Sequence, residues 1–206
     1  MSLRWTITAP VYDRMSRGSE QAGLRELRHG LVGEATGRVL EIGAGTGANL
    51  SHYNGSIESL VVTEPEPPML RRLQRTAHAH APRAQVLRAP AENLPFEDDS
   101  FDTVVSTLVL CGVDDQPRAL REARRVLRPG GRLLFLEHVR ADEPGLARLQ
   151  DRMNWLNRLV VGCDCNRPTL GTIEATGFTI SELVHTAMPK APKFVRPLII
   201  GSAVPG

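Results

Sequence analysis

The stretch VLEIGAGTGANL, residues 39–50, runs from a short apolar segment into three glycines at alternate positions, Gly43, Gly45 and Gly47, with Glu41 two residues before the first. Val39, Leu40 and Ile42 suit the end of a covered β-strand, because β-branched and apolar residues pack well on a pleated surface. Glycines at this spacing allow positive φ and let backbone approach a ligand closely. Outward from this point the chain repeats one theme. RVLEI (38–42), SLVVTE (59–64), AQVLRA (84–89), FDTVVSTLVLC (101–111) and GRLLFLEHV (131–139) each read as strands. The fourth is apolar throughout, as a strand covered on both faces should be. Between them, MLRRLQRTAHAH (69–80) and QPRALREARRVL (116–127) carry helical patterns. The second places Leu120, Ala123 and Leu127 on one face, and RPGG stops it.

Strand–helix alternation of this kind builds a parallel sheet with helices on both faces. The C-terminal part differs: FTISELVH (178–185) and PLIIGSAV (197–204) are joined by a Pro/Lys-rich loop too short for a crossover, which implies an antiparallel pair. The expected fold is therefore α/β and Rossmann-like: a doubly wound, mostly parallel seven-stranded sheet with a C-terminal antiparallel hairpin.

At 206 residues the chain is most simply one domain with a sizeable core. Its 23% charged and 41% hydrophobic residues are ordinary for a globular protein, and a net charge of +2 argues for neither nucleic acid nor an anionic membrane as partner. Lys190 and Lys193 are the only lysines, and the arginine run 118–128 reads as the wet face of an amphipathic helix. Neither a leader's apolar region nor a window long enough to span a membrane is visible. Cys111, Cys163 and Cys165 make no disulfide framework. The expected setting is reduced and cytoplasmic.

Glycines alone do not choose a ligand, since Gly43-x-Gly45-x-x-Ala48 also fits a dinucleotide fingerprint and a plain tight turn needs glycine too. Charge discriminates better. A carboxylate at Glu41 would repel a pyrophosphate and attract a cationic group. Glu64 ends the second strand, where a carboxylate accepts ribose hydroxyls. A nucleoside that carries positive charge and no phosphate meets both conditions, and S-adenosyl-L-methionine is such a molecule.

LEIGAGTGANL, TEPEPPML, APAENLPFEDDSFDTVVSTLVLCGV and RRVLRPGGRLLFLEHV, in this order, make the chain resemble the class I S-adenosylmethionine-dependent methyltransferases of the small-molecule branch. It is similar to the ubiquinone/menaquinone C-methyltransferases, and more so to the methyltransferase-like thiol S-methyltransferases. Two departures stand out: Pro90 occupies the place where quinone-type enzymes carry Asp, and the membrane anchor of the thiol enzymes has no counterpart. The resemblance implies a single methyltransferase domain over 1–206, with residues 1–36 as a helical lid and 140–176 as a helical substrate-side insertion. It implies that Gly43, Ala44 and Gly45 flank the methionine part of the cofactor, with Glu41 nearby. Glu64 and Pro65 would take the ribose and adenine edge, Met69 would pack on the ring, and Ala91 and Glu92 would hold the adenine. Thr107 and Leu108 would offer carbonyls to the methionine ammonium, and Tyr12 would close over the cofactor.

Methyl transfer from a sulfonium mainly needs alignment of the reactants. A base matters only if the acceptor arrives protonated: a thiol is partly ionised at neutral pH, whereas a phenol or quinol carbon is not. His138, at the end of the fifth strand, is the first candidate base, against a structural histidine bonded to nearby backbone. Asp164 is the second, against a loop in which Asn166 caps the helix starting near Pro168. Cys163-Asp164-Cys165 lacks the second ligand pair of a zinc site, so no metal is expected. In GLARLQDRMNWLNRLVVGCDC (145–165), Leu146, Leu149, Met153, Leu156 and Val160 form a stripe expected to dock, while Trp155 and Leu159 lie off it. That second surface suits a pocket wall, a partner chain or weak contact with a membrane surface. The acceptor expected is a small, apolar molecule, a thiol first and a quinol or phenol second. An NAD(P)-dependent oxidoreductase and a non-catalytic cofactor-binding module are the competing classes; no Tyr-x-x-x-Lys dyad supports the former.

Overall fold

The computed structural model describes residues 16–206. Its strands are β1 (Gly37–Ile42), β2 (Ile57–Thr63), β3 (Gln85–Leu87), β4 (Phe101–Thr107), β5 (Leu127–His138), β6 (Phe178–Ala187) and β7 (Pro197–Pro205). Its α-helices are α1 (Arg25–Gly33), α2 (Pro67–His80), α3 (Gln116–Val126), α4 (Pro144–Val160) and α5 (Thr169–Ala175). The seven strands form one sheet in the order β3-β2-β1-β4-β5-β7-β6. Pairings among β1 to β5 are parallel, and β7 runs antiparallel to both β5 and β6, as the short Pro/Lys-rich loop implies.

The pleat divides the core in two. Leu40, Ile42, Val104, Leu133 and Phe135 face a layer formed by α3 and α5 through Leu120, Ala123 and Ile173. Val39, Val62, Val105, Leu134 and Leu136 face the other layer, where α1 and α2 contribute Leu31, Val32 and Leu73. Of the N-terminal 36 residues, the described part lies in this second layer, with Leu24 and Val32 buried in it.

Two local features shape the site. No regular helix follows the glycine loop; residues 45–52 wind through successive turns, with Gly47 N donating to Ala44 O (2.9 Å) and His52 N to Asn49 O (2.8 Å). Positive φ at Gly43, Gly45 and Gly47 interrupts helical geometry before it can propagate. The fourth strand ends at Thr107, because Leu108 takes a left-handed conformation at φ 59 and turns the chain away.

The strand order reverses between β1 and β4, and in doubly wound sheets ligands bind beyond the carboxyl ends of the strands at such a switch point. Among the described residues no helix is long and apolar enough to cross a membrane, and no group of three His, Cys, Asp or Glu side chains is placed to hold a metal ion.

Candidate active site

A cleft of about 410 Å³ opens beyond the ends of β1, β2 and β4, a size suited to one small ligand. Gly45, at φ +60, borders it with bare backbone: an added Cβ would meet only Met69 Cε, at 3.8 Å, within 4 Å. Gly43 serves a different need. Its Cβ would stand 2.5 Å from Val109 Cγ1, so only glycine lets the β1 and β4 loops meet.

Glu64 lies at the floor of the cleft. One oxygen accepts from Gly45 N (3.0 Å) and the other from Glu66 N (2.9 Å), which ties the glycine loop to the end of β2. Burial raises its carboxyl to about 7, opposed by those two bonds. Pro65, Met69, Pro90 and Ala91 add apolar walls, and Leu108 and Val109 line the β4 side. Five carboxyl side chains line the cleft, from Glu64, Glu66, Glu92, Asp114 and Asp164, against the single guanidinium of Arg158 among the described residues. Such a site repels a diphosphate and favours a cation. Nor does a regular helix follow the glycine loop to offer the N-terminus on which dinucleotide folds seat a pyrophosphate. Glu92 spends one oxygen on Asp114 N (2.9 Å) and Asp115 N (3.4 Å), which fixes the opposite loop.

Glu41 is placed behind the loop and not in the cleft. It shares the Val39 face of β1, looks toward α1, and is 2% exposed. Asn49 Nδ2 donates to one oxygen (2.9 Å) and the Tyr53 hydroxyl to the other (2.7 Å). Asn49 and Thr107 Oγ1 in turn accept from the buried Arg28 guanidinium (3.1 and 2.9 Å), which also pairs with Glu20 at 3.0 Å. Burial raises Glu41 to about 7, offset in part by Tyr53, Asn49 and the charge of Arg28. This network pins the turns that carry the glycines. Sequence reading missed Arg28, since 79 residues separate it from Thr107.

The two candidate bases fare differently from their sequence reading. His138 sits on the face opposite Glu137, buried against the backbone of Pro197 and Val195; burial lowers its imidazole to about 4. Its Nδ1 has no hydrogen-bond partner, and the ring does not line the cleft. Glu137 takes the inward position instead. It accepts from Ser106 Oγ (2.7 Å), Val109 N (3.0 Å) and Leu110 N (3.1 Å), holding the left-handed turn after β4. Burial raises it to about 7 against these bonds. Its one sequence signal is an acid inside an otherwise apolar strand end.

Asp164 lines the cleft, but Arg167 Nη2 (2.7 Å), Arg158 Nη1 (2.8 Å) and Asn154 Nδ2 (2.8 Å) all donate to it. Burial alone would raise its carboxyl, and the Arg167 and Asn154 hydrogen bonds with the arginine charges more than reverse this, holding it below the usual range. A carboxylate so paired is a poor proton acceptor. Asn166 does not cap α5: Pro168 holds the cap position with no side-chain bond, and Asn166 Nδ2 donates to Asp151 (2.9 Å).

Helix α4 is rotated from its expected orientation. Ala147, Gln150 and Asn157 are buried, while of the expected stripe Leu146, Met153 and Leu156 are half-buried and Leu149 and Val160 are 38% and 45% exposed. The reason is polar. Gln150 Nε2 donates to Val139 O (3.1 Å) and Cys165 O (2.7 Å), and Asn157 Nδ2 to Cys163 O (2.6 Å), satisfying loop carbonyls that have no strand partner. Arg148, Arg152, Trp155 and Leu159 are left in an outward row.

Of the expected cofactor residues, Gly43, Gly45, Glu64, Pro65, Met69, Ala91, Glu92 and Leu108 line the cleft together. Ala44 is buried behind it, with its N–H donating to Thr63 O (2.8 Å), and the Thr107 hydroxyl belongs to the Arg28 network. Tyr12 lies outside the described residues.

Comparison with known proteins identifies the family. Residues 40–135 match the methyltransferase domain family. The thiol S-methyltransferase TMT1A of Homo sapiens is 36% identical over 174 residues, which are 81% of this chain and 70% of that protein. The ubiquinone/menaquinone biosynthesis C-methyltransferase UbiE of Hahella chejuensis is 39% identical over 118 residues, 55% of this chain and 47% of its own. A solved S-adenosylmethionine-dependent methyltransferase from Thermotoga maritima superimposes with a TM-score of 0.68 at 25% identity, over 97% of this chain and 96% of that one. With the switch-point cleft, its bare glycine backbone and its carboxyl-rich lining, these matches establish that the chain belongs to the class I S-adenosylmethionine-dependent methyltransferases.

Proposed function

We propose that the cleft holds S-adenosylmethionine with Glu64 on the ribose, Pro65, Met69, Ala91 and Glu92 about the adenine, and Gly43, Ala44, Gly45, Thr107 and Leu108 along the methionine part, and that the acceptor is a small, apolar thiol. The observation that carries the choice of acceptor is the state of the two candidate bases: His138 is sealed from the cleft, and Asp164 is bound to two guanidinium groups. A thiol with pKa about 8.5 is a few per cent thiolate at neutral pH and needs no base, whereas a phenol or quinol carbon does. The cofactor supplies a methyl group on a cationic sulfur. Glu41 acts from behind, through Asn49 and Tyr53, by holding the glycine loop in place.

Residues 140–176 form the acceptor side, because the last turn of α4 and the loop after it bring Arg158, Gly162 and Asp164 to the cleft wall. The outward row Arg148, Arg152, Trp155 and Leu159 suits weak contact with an anionic lipid surface, where an apolar acceptor would concentrate. Three free, buried cysteines suit a reducing, cytoplasmic setting. The relatives named above favour a small-molecule acceptor over nucleic acid.

Methyl transfer to panels of thiols, phenols and quinols tests the proposal: thiols should turn over, and selective methylation of phenols or quinols with thiols inert would overturn it. Titration with S-adenosylhomocysteine tests the cofactor placement. Glu64→Ala should weaken binding at least tenfold, about 1.4 kcal/mol, for a lost charge-assisted hydrogen bond. Unchanged affinity would remove Glu64 from the ribose.

A further inference from the structure

Glu66 occupies the residue before helix α2, where a side chain ordinarily accepts from the N–H of the second or third helical residue. Here Pro67 and Pro68 fill the first two helical positions and have no N–H. The third, Met69 N, already donates to the main-chain oxygen of Glu66 at 3.0 Å. The Glu66 carboxylate accordingly makes no capping bond. It turns instead into the cleft wall, beside Glu64 and Pro90, and its Oε2 is buried there with no hydrogen-bond partner.

A buried carboxylate oxygen without a donor is costly, and the cost is relieved only by an N–H or O–H brought to it. The described residues do not supply that donor: the neighbouring Glu66 N–H is committed to Glu64 at 2.9 Å. Neither does an ionised phosphate, which carries no proton to give and would meet two carboxyl groups. An adenosine carries suitable donors in its 6-amino group and its ribose hydroxyls.

We propose that Glu66 is a second nucleoside-reading carboxylate, whose Oε2 accepts a hydrogen bond from an amino or hydroxyl group of the bound adenosine. This rests on the cofactor placement proposed above and adds to it a residue that neither the glycine motif nor the end of β2 identifies. The run Pro65-Glu66-Pro67-Pro68 then has a physical reading: the prolines remove the local donors and leave the carboxylate for the ligand.

The test pairs calorimetric titration of S-adenosylhomocysteine with thermal unfolding of the ligand-free chain, for wild type, Glu66→Ala and Glu66→Gln. Binding by Glu66→Ala should be at least tenfold weaker, with Glu66→Gln, which keeps an acceptor oxygen, between the two. Ligand-free midpoints should stay level or rise, since no capping bond is lost. Affinity within twofold of wild type in Glu66→Ala would overturn the inference, and a lowered ligand-free midpoint alongside it would mark an ordinary helix cap. No binding by the wild type would instead overturn the cofactor placement, and this inference with it. The 6-oxo (inosine) and the 2′- and 3′-deoxy analogues of S-adenosylhomocysteine identify the donor. The analogue lacking it should bind weakly to wild type yet lose nothing further in Glu66→Ala. If every analogue responds equally to the substitution, Glu66 reads no donor and the inference falls.

Discussion

Replacing Glu41 by glutamine removes a titrating group from the buried network and leaves its contacts in place. The amide oxygen can accept from Asn49 Nδ2, and the amide nitrogen can donate to the Tyr53 phenol oxygen once that hydroxyl turns. In the wild-type chain burial holds the Glu41 carboxyl at about 7, against an ordinary 4.5. A raised carboxyl favours its neutral form in the folded chain, so the stability it contributes is complete below about pH 4.5 and is lost as pH rises through 7. The gap corresponds to about 3 kcal/mol, of which about 2–3 kcal/mol falls between pH 5 and pH 8. Urea unfolding of both proteins at these two pH values measures it. Glu64 and Glu137, also held near 7, titrate in both chains, so the difference between the two pH responses isolates Glu41. The wild type should lose about 2–3 kcal/mol more than Glu41→Gln on going from pH 5 to pH 8. Parallel losses would refute the buried network as described and return Glu41 to a solvated position facing the ligand.

Three further outcomes are expected. Asp164→Asn breaks the contacts to Arg158 and Arg167 and should cost about 2 kcal/mol or more in chemical unfolding, with the pH–rate profile of methyl transfer unchanged; loss of an acidic limb from that profile would restore Asp164 as the base. Gly43→Ala forces a side chain into φ +57 and to 2.5 Å from Val109, costing about 3 kcal/mol and lowering the thermal midpoint by about 6–12 °C; a fall below about 2 °C would contradict the close approach of the two loops. The wild-type chain should co-sediment with phosphatidylglycerol-containing vesicles at low salt and be released by Trp155→Ala or by about 0.5 M salt, where the Debye length falls to about 4 Å; equal sedimentation of both proteins would remove the outward row of α4 as the contact.

The architecture was legible in the residues themselves because each carrying signal is local. Alternation of apolar runs with helical patterns, a hairpin loop too short for a crossover, and glycines between an apolar strand end and a polar turn depend only on neighbours within a few positions. Glu64 was legible for the same reason: the strand ends there, and its backbone neighbours decide where the carboxylate lies. The tertiary structure decided what depends on the two faces of the sheet and on distant partners. The pleat sends Glu41 toward Arg28, Asn49 and Tyr53, and it sends Glu137 rather than His138 to the β4 turn. Unpaired loop carbonyls at Val139, Cys163 and Cys165 draw Gln150 and Asn157 inward, against the apolar stripe that α4 carries. Periodicity records which residues share a face; the donors and acceptors waiting on the other side, set by chain segments far away in sequence, determine which face turns in.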